Sequence, residues 1–215
     1  MNWERYAAEW SALHGGFTPT SPVVRGWIRI AWRAGVLLGR LGVGPTAVTL
    51  TGLLLCWLTP VAATAGRVGV FGAAVLVLAA SFADAFDGAV AVVTGRASRA
   101  GFVVDSVADR LGEAAWLVAL WVVGAPAWVA VAAGAVSWLH EYVRARATAA
   151  GMAEIGAVTV GERPTRVSMA LSGMLVAAVF WPWAAAVVTG AAAAWLALGL
   201  VGIGQLAFAV RRALR

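Results

Sequence analysis

The sequence predicts an all-α polytopic membrane protein, in which six transmembrane helices follow an N-terminal interfacial amphipathic helix. Composition is the first reason, because 62% of the 215 residues are hydrophobic and only 12% are charged. A soluble domain carries about a quarter charged residues. The second reason is that the apolar residues are gathered into segments long enough to span the ~30 Å hydrocarbon core of a bilayer. A soluble globular fold is therefore disfavoured.

The predicted domains are an N-terminal cytoplasmic or interfacial helical segment at 1–42 and a membrane domain at 43–215. In the first segment, Arg25, Arg29 and Arg33 recur every four residues and therefore share one helical face. Apolar and tryptophan side chains lie between them, which is typical of a helix in the membrane interface. A charged flank that only sets topology would give the same pattern.

Six apolar segments make up the predicted membrane domain. Their predicted bounds are 46–65, 68–93, 102–123, 126–148, 166–187 and 189–210. At about 1.5 Å per residue, each could cross the bilayer. Only Thr189 and Gly190 separate the last two segments, so five spans remain an alternative to six.

Arginine placement predicts the orientation. All 16 basic residues are arginines. With both termini in the cytoplasm, only Arg67 lies on the far side of the membrane and Arg110 lies within the third span. The positive-inside rule therefore predicts a multi-pass plasma (inner) membrane protein with cytoplasmic termini and site. Because the arginines lie beside apolar spans, membrane lipids or phosphorylated substrates are the predicted partners, and nucleic acid is not.

All four aspartates of the chain fall within residues 81–110. Asp84 and Asp87 are three apart, and Asp105 and Asp109 are four apart, so each pair shares a helical face. Four carboxylates beside apolar segments cannot all stay ionised without counter-charge. Hard divalent cations suit an all-oxygen site, and two such ions would balance four carboxylates.

The residues alone leave two functions open for this cluster. Two-metal sites commonly serve phosphoryl transfer, whereas intramembrane carboxylates also form proton or cation pathways in transporters. Gly88 and Gly101 lie beside the aspartates, where a missing side chain would let a ligand approach the backbone. Glycine in such segments also serves helix packing.

The spacing in this stretch resembles the signature of the CDP-alcohol phosphatidyltransferase family. Seven of its eight fixed positions match in residue type and gap, at Asp84, Asp87, Gly88, Ala91, Gly101, Asp105 and Asp109. Val92 is the departure, because the family has an arginine there. A catalytically degenerate member of the family is therefore an alternative to an active enzyme. Arg96 is a candidate replacement cation, unless it only sets topology.

The resemblance implies a reaction, in which a phosphatidyl group moves from a CDP-linked lipid such as CDP-diacylglycerol to a polar alcohol and CMP is released. It implies two Mg²⁺ or Mn²⁺ ions and a homodimer. The implied metal ligands are Asp84, Asp87, Asp105 and Asp109, and Asp109 is also the implied catalytic base. The residues implied for nucleotide and CDP-lipid binding are Thr49, Asp84, Gly88, Ala91 and Gly101.

Four arginines resemble the acceptor pocket of the family's phosphatidylinositol-phosphate synthase branch. Arg144 and Arg146 end the fourth predicted span, and Arg163 and Arg166 begin the fifth. Arginine suits bidentate recognition of phosphate. The resemblance implies inositol phosphate as acceptor, although glycerol 3-phosphate would fit the same charges, and flanking charge for topology is the alternative role.

Overall fold

The computed structural model describes residues 1–13, 20–152 and 158–215, and this part of the chain is helical without strands, so the all-α prediction is confirmed. Within the described residues there are eight α-helices and one 3₁₀ turn: α1 (Trp3–Leu13), α2 (Pro22–Arg40), α3 (Pro45–Ala63), α4 (Gly66–Thr94), α5 (Arg99–Val123), α6 (Ala127–Ala149), α7 (Arg163–Val179), the turn Trp181–Trp183, and α8 (Ala184–Ala213).

The predicted boundary between the last two spans is wrong. Helix α7 ends at Val179, and Thr189 and Gly190 both lie inside α8. Pro182 sits in the 3₁₀ turn between the two helices, where its missing N–H and its ring prevent α7 from continuing. Thr189 is accommodated in α8 because its hydroxyl donates to the carbonyl oxygen of Ala185 at 2.7 Å.

Three helical stretches of the described chain are long and apolar enough to cross a membrane. They are α3, α4 and the run Trp181–Ala213, which contains the 3₁₀ turn and α8. Helix α5 carries several charged side chains, and α7 has 17 residues, which is at the short limit for a span. The number of six spans therefore stays a prediction.

The chain forms two compact units. One comprises Met1–Leu54 and Ala79–Asp109, and the other comprises Leu55–Leu78 and Arg110–Arg215. In the second unit, α8 packs on α6 and α7 through small residues. A Cβ at Gly173 of α7 would lie 2.6 Å from the Cβ of Ala191, and one at Gly199 would lie 2.8 Å from Cγ1 of Val136 on α6. Helices can approach this closely only where side chains are missing.

In the first unit, α1 and α2 pack on α4. The buried contacts join Tyr6, Ile28 and Ala31 to Ala89. A Cβ at Gly35 of α2 would lie only 2.9 Å from the carbonyl carbon and oxygen of Ala89. The N-terminal helices therefore touch the backbone of α4 two residues after Asp87.

We expect Gly35→Ala to destabilise the protein by about 1–3 kcal/mol, because the new methyl group must displace the backbone of α4. Gly26→Ala on the same helix is the matched control, since a Cβ there meets nothing within 4 Å. That control should be neutral or stabilising by up to about 1 kcal/mol. Thermal unfolding in detergent measures both, and equal Tm values for the two variants would contradict the close packing.

Candidate active site

Three aspartates converge between two helices of the first unit. Asp84 lies on α4, and Asp105 and Asp109 lie one turn apart on α5. One carboxylate oxygen from each lies within 4.8 Å of the other two, and all three residues are half-buried. Two oxygens on opposite sides of one cation at ligand distances of about 2.0–2.6 Å would be about 4–5 Å apart. The separations therefore fit a divalent cation.

The fourth aspartate has a different environment. Asp87 is 6% exposed, and its Oδ2 accepts a 2.6 Å hydrogen bond from the hydroxyl of Thr49 on α3. Asp84 and Asp105 lie close enough for their charges to act on this carboxylate. Thr49 is predicted from the family resemblance to bind the nucleotide, and in the structure its hydroxyl donates to Asp87.

A cavity of about 230 Å³ opens beside Asp87 and Asp105. Four of the five residues predicted to bind the CDP-lipid contribute to its wall, and these are Thr49, Gly88, Ala91 and Gly101. The fifth, Asp84, belongs to the three-carboxylate group instead. The wall also contains Thr46 and Ser98, which were not among the predicted site residues. Thr46 could have been found, because it lies one helical turn before Thr49.

The two motif glycines serve different purposes. A Cβ at Gly88 would meet nothing within 4 Å, so its open backbone faces the cavity without helping helix packing. A Cβ at Gly101 would lie 3.1 Å from the Oγ of Ser98. That Oγ accepts a 3.0 Å hydrogen bond from the Gly101 N–H and caps α5. Gly101 therefore makes room for the helix cap that begins α5.

In the second unit, Arg166, one of the predicted acceptor arginines, has carboxylate partners. The guanidinium of Arg166 is buried and donates to both oxygens of Glu113 at 3.0 and 3.1 Å, and to Glu141 at 3.1 Å. Arg110 donates to Glu113 at 2.9 Å and pairs with Glu141 at 3.0 Å. Two arginines and two glutamates thus balance one another, as buried charges must.

A second contact network begins at Arg144, whose guanidinium donates to the carboxylate of Glu162. The same carboxylate oxygen accepts bonds from the backbone N–H and the hydroxyl of Thr159, both at 2.9 Å. Buried His140 lies 2.9 Å from that hydroxyl. Arg146 is exposed, and Arg163 is half-buried. The pairing of Arg144 with Glu162 and that of His140 with Thr159 could not be predicted from local spacing, because the partners are 18 and 19 residues apart.

Comparisons with known proteins agree with the motif. Residues 43–202 match the family model described as CDP-alcohol phosphatidyltransferase. The archaetidylinositol phosphate synthase of Pyrococcus horikoshii is 31% identical over 136 residues, covering 63% of this chain and 71% of that protein. The phosphatidylinositol phosphate synthase of Mycobacterium bovis is 30% identical over 186 residues, covering 80% of this chain and 76% of that protein.

Solved structures share the fold. The Mycobacterium tuberculosis phosphatidylinositol phosphate synthase with CDP-DAG bound has a TM-score of 0.65 and 26% identity, covering 83% of this chain and 94% of that chain. The same protein in complex with manganese and citrate has a TM-score of 0.69 and 24% identity, covering 84% and 88%. The resemblance to the phosphatidylinositol-phosphate synthase branch is confirmed. The family match covers most of the sequence, and three helical stretches are long and apolar enough to cross a bilayer. The chain therefore belongs to the CDP-alcohol phosphatidyltransferase family of membrane enzymes.

Proposed function

We propose that this enzyme transfers a phosphatidyl group from CDP-diacylglycerol to a phosphorylated polar alcohol, inositol phosphate or glycerol 3-phosphate, and releases CMP. The convergence of Asp84, Asp105 and Asp109 within 4.8 Å carries the proposal. A cavity lined by Asp87 and Asp105 supports it. Relatives named phosphatidylinositol phosphate synthase and archaetidylinositol phosphate synthase support a phosphorylated acceptor.

The donor set fits Mg²⁺ or Mn²⁺. Every candidate ligand is a carboxylate oxygen, which is the ligand type that hard divalent cations prefer. A related structure was solved with manganese. Asp84, Asp87, Asp105 and Asp109 would hold the metal, and two ions would balance their four charges. Bound divalent ions supply charge neutralisation for the diphosphate and polarise its phosphoryl oxygens.

We assign the proton transfer to Asp109. As the acceptor hydroxyl oxygen attacks the β-phosphorus of the donor, the Asp109 carboxylate takes the hydroxyl proton. The new bond joins that oxygen to phosphorus, and the bond from phosphorus to the oxygen of the leaving CMP breaks. The other aspartates contribute alignment and charge, on which phosphoryl transfer mainly depends.

The donor side of the cavity has specific groups for a nucleotide lipid. Gly88 leaves room for close approach to the backbone of α4. The Thr49 hydroxyl fixes one oxygen of Asp87 at 2.6 Å and so orients its carboxylate. Ala91 and Gly101 complete a wall of small side chains. We propose that the cytidine diphosphate part of the donor lies along this wall.

For the acceptor phosphate we propose Arg144, Arg146 and Arg163. Arg144 already shares its guanidinium with Glu162, so a phosphate would join or replace that carboxylate. Arg166 is buried between Glu113 and Glu141. We therefore assign to Arg166 a positioning role in place of the direct phosphate contact that its place in the sequence suggested.

The proposed setting is a plasma membrane with six spans, an interfacial α2, and termini and site on the cytoplasmic side. The arginine distribution supports the orientation. Helix α2 has buried Ile28 and Ala31 on one face and exposed Arg25 and Arg29 elsewhere, which supports the interfacial placement. The division at residues 42 and 43 is supported by the start of the family match. The proposed homodimer rests on the family resemblance alone.

A non-catalytic CDP-lipid-binding protein is the second candidate function. Val92 favours it, because a neutral side chain lines the cavity where the family signature has an arginine. A cation or proton transporter using the carboxylates, the remaining alternative, would not require cytidine nucleotides. CMP release and CDP-lipid binding therefore separate the three functions.

The proposed function is tested by CMP release from the purified protein in detergent with CDP-diacylglycerol and Mn²⁺. We expect release with inositol phosphate or glycerol 3-phosphate and none with unphosphorylated inositol or serine. Release only with an unphosphorylated alcohol would contradict the acceptor class. Binding of CDP-diacylglycerol without release for any acceptor would favour the non-catalytic alternative.

Asp109→Asn should lower the rate of CMP release by about 10²–10⁴-fold, because the amide cannot accept the hydroxyl proton. Asp84 and Asp105 keep their carboxylates in this variant, so we expect CDP-diacylglycerol binding to change by less than about threefold. Single-turnover rates and equilibrium binding measure the two effects separately. Full activity of the variant would remove Asp109 from the proposed role.

Thr49→Val should lower the free energy of unfolding by about 1–3 kcal/mol, because it removes the side-chain hydroxyl that donates to the buried Asp87 carboxylate. Thr51→Val is the matched control on α3, since the Thr51 side chain is exposed and its hydroxyl bonds only the carbonyl oxygen of Ala47 at 2.8 Å among the contacts described. That control should change stability by less than about 0.5 kcal/mol. Thermal unfolding in detergent without added metal compares them, and an equal loss in both variants would count against the role of Thr49.

A further inference from the structure

We infer that Arg96 provides the positive charge that faces the donor's diphosphate in this chain, replacing the arginine that the family signature has at position 92. The inference rests on the proposed function and names a further binding residue for it. It is specific to this sequence, because Val92 brings no charge and Arg96 lies outside the signature.

The composition of the cavity wall supports this role for Arg96. Val92 and Arg96 both line the cavity that Asp87 and Asp105 also line. Among the wall residues in the described chain, Arg96 is the only basic one. A diphosphate entering this cavity brings negative charge next to two carboxylates, so a cation in the same wall lowers the electrostatic cost of binding.

The end of α4 explains how a residue beyond the helix can reach this wall. Gly95 follows the helix with φ +66°, a conformation that favours glycine. Its N–H bonds the carbonyl oxygen of Val92 at 3.2 Å, and the Arg96 N–H bonds that of Ala91 at 2.9 Å. These two bonds form a Schellman motif, which turns the chain back over the last helical turn. Arg96 is therefore held beside Ala91 and Val92.

The guanidinium lies toward the start of α3. A Cβ at Gly44 would be 3.9 Å from Nη1 of Arg96, and Pro45 and Thr46, the first residues of α3, also line the cavity. Arg96 is exposed, and no carboxylate in the described ranges forms an ion pair with it. Its charge is therefore available to a ligand. The N-terminus of α3 adds a partial positive charge on the same side.

Besides lining the cavity, Val92 makes apolar contacts that explain why a valine suits this position. Its side chain packs against the buried cluster that joins Tyr6, Ile28 and Ala31 to Ala89. An arginine at position 92 would bring a guanidinium to the edge of this apolar cluster, at a desolvation cost. The chain instead uses Val92 to cover the N-terminal helices and Arg96 to carry the charge.

The test compares Arg96→Gln with Arg99→Gln. Both arginines lie between predicted spans, but Arg99 does not line the cavity, so the pair controls for general charge and topology. We expect Arg96→Gln to raise the Kd for CDP-diacylglycerol by about 10- to 100-fold, the size of one hydrogen bond to a charged group. Arg99→Gln should change it by less than about twofold.

A rescue variant separates charge from local structure. Adding Val92→Arg to Arg96→Gln should lower the Kd for CDP-diacylglycerol by about tenfold relative to Arg96→Gln alone. Val92→Arg alone should change this Kd little. Failure of rescue together with equal Kd values for Arg96→Gln and Arg99→Gln would overturn the inference. If the unaltered protein binds CDP-diacylglycerol and releases CMP while this comparison fails, only the role of Arg96 is refuted. If the unaltered protein does neither, the proposed function fails, and the inference fails with it.

Discussion

A carboxylate shielded from water needs a nearby positive charge or hydrogen-bond donor. The rest of this structure depends on how the chain supplies them. In the second unit the compensation is built in, because Glu113 is 1% exposed and accepts bonds from Arg110 and Arg166. In the first unit, three carboxylates with oxygens within 4.8 Å of one another repel, and buried Asp87 is held by a neutral hydroxyl. Like charges gathered in this way are not favoured by folding alone. A bound divalent cation would offset this repulsion, so the arrangement of the aspartates favours metal binding.

Helix α4 is positioned from two sides in the first unit. The small residues of α2 contact its backbone at Ala89, and Thr49 of α3 bonds its carboxylate at Asp87. These contacts lie within two residues of each other. A sub-ångström shift of α4 would therefore move a candidate metal ligand, and catalytic groups tolerate little displacement. The packing of the N-terminal helices on α4 therefore helps to set the position of the candidate metal ligand Asp87.

Much of the site could be predicted because helical spacing is a local property. The intervals between Asp84 and Asp87 and between Asp105 and Asp109 set their faces without knowledge of the tertiary structure. The predicted break between α7 and α8 is wrong because Pro182 lies between two tryptophans in an apolar run and does not interrupt its hydrophobicity. Thr189 and Gly190 are less hydrophobic, so the break was predicted there. The burial of Arg166 could not be predicted, since its partner Glu113 is 53 residues away and only the folded chain brings them together. The turn at Gly95 could have been predicted from the sequence, because a glycine that follows an apolar helix commonly ends the helix and reverses the chain direction.

The contact between Gly35 and Ala89 bears on how such enzymes can be recombined. The family match begins at residue 43, whereas Ile28, Ala31 and Gly35 lie before it and pack on the helix that carries the aspartates. A chimera joined at the family boundary would pair the small residues of one parent with the wrong surface of the other. Exchanges between relatives should therefore carry α2 and the last turns of α4 as a single cassette, although about fifty residues of sequence separate them.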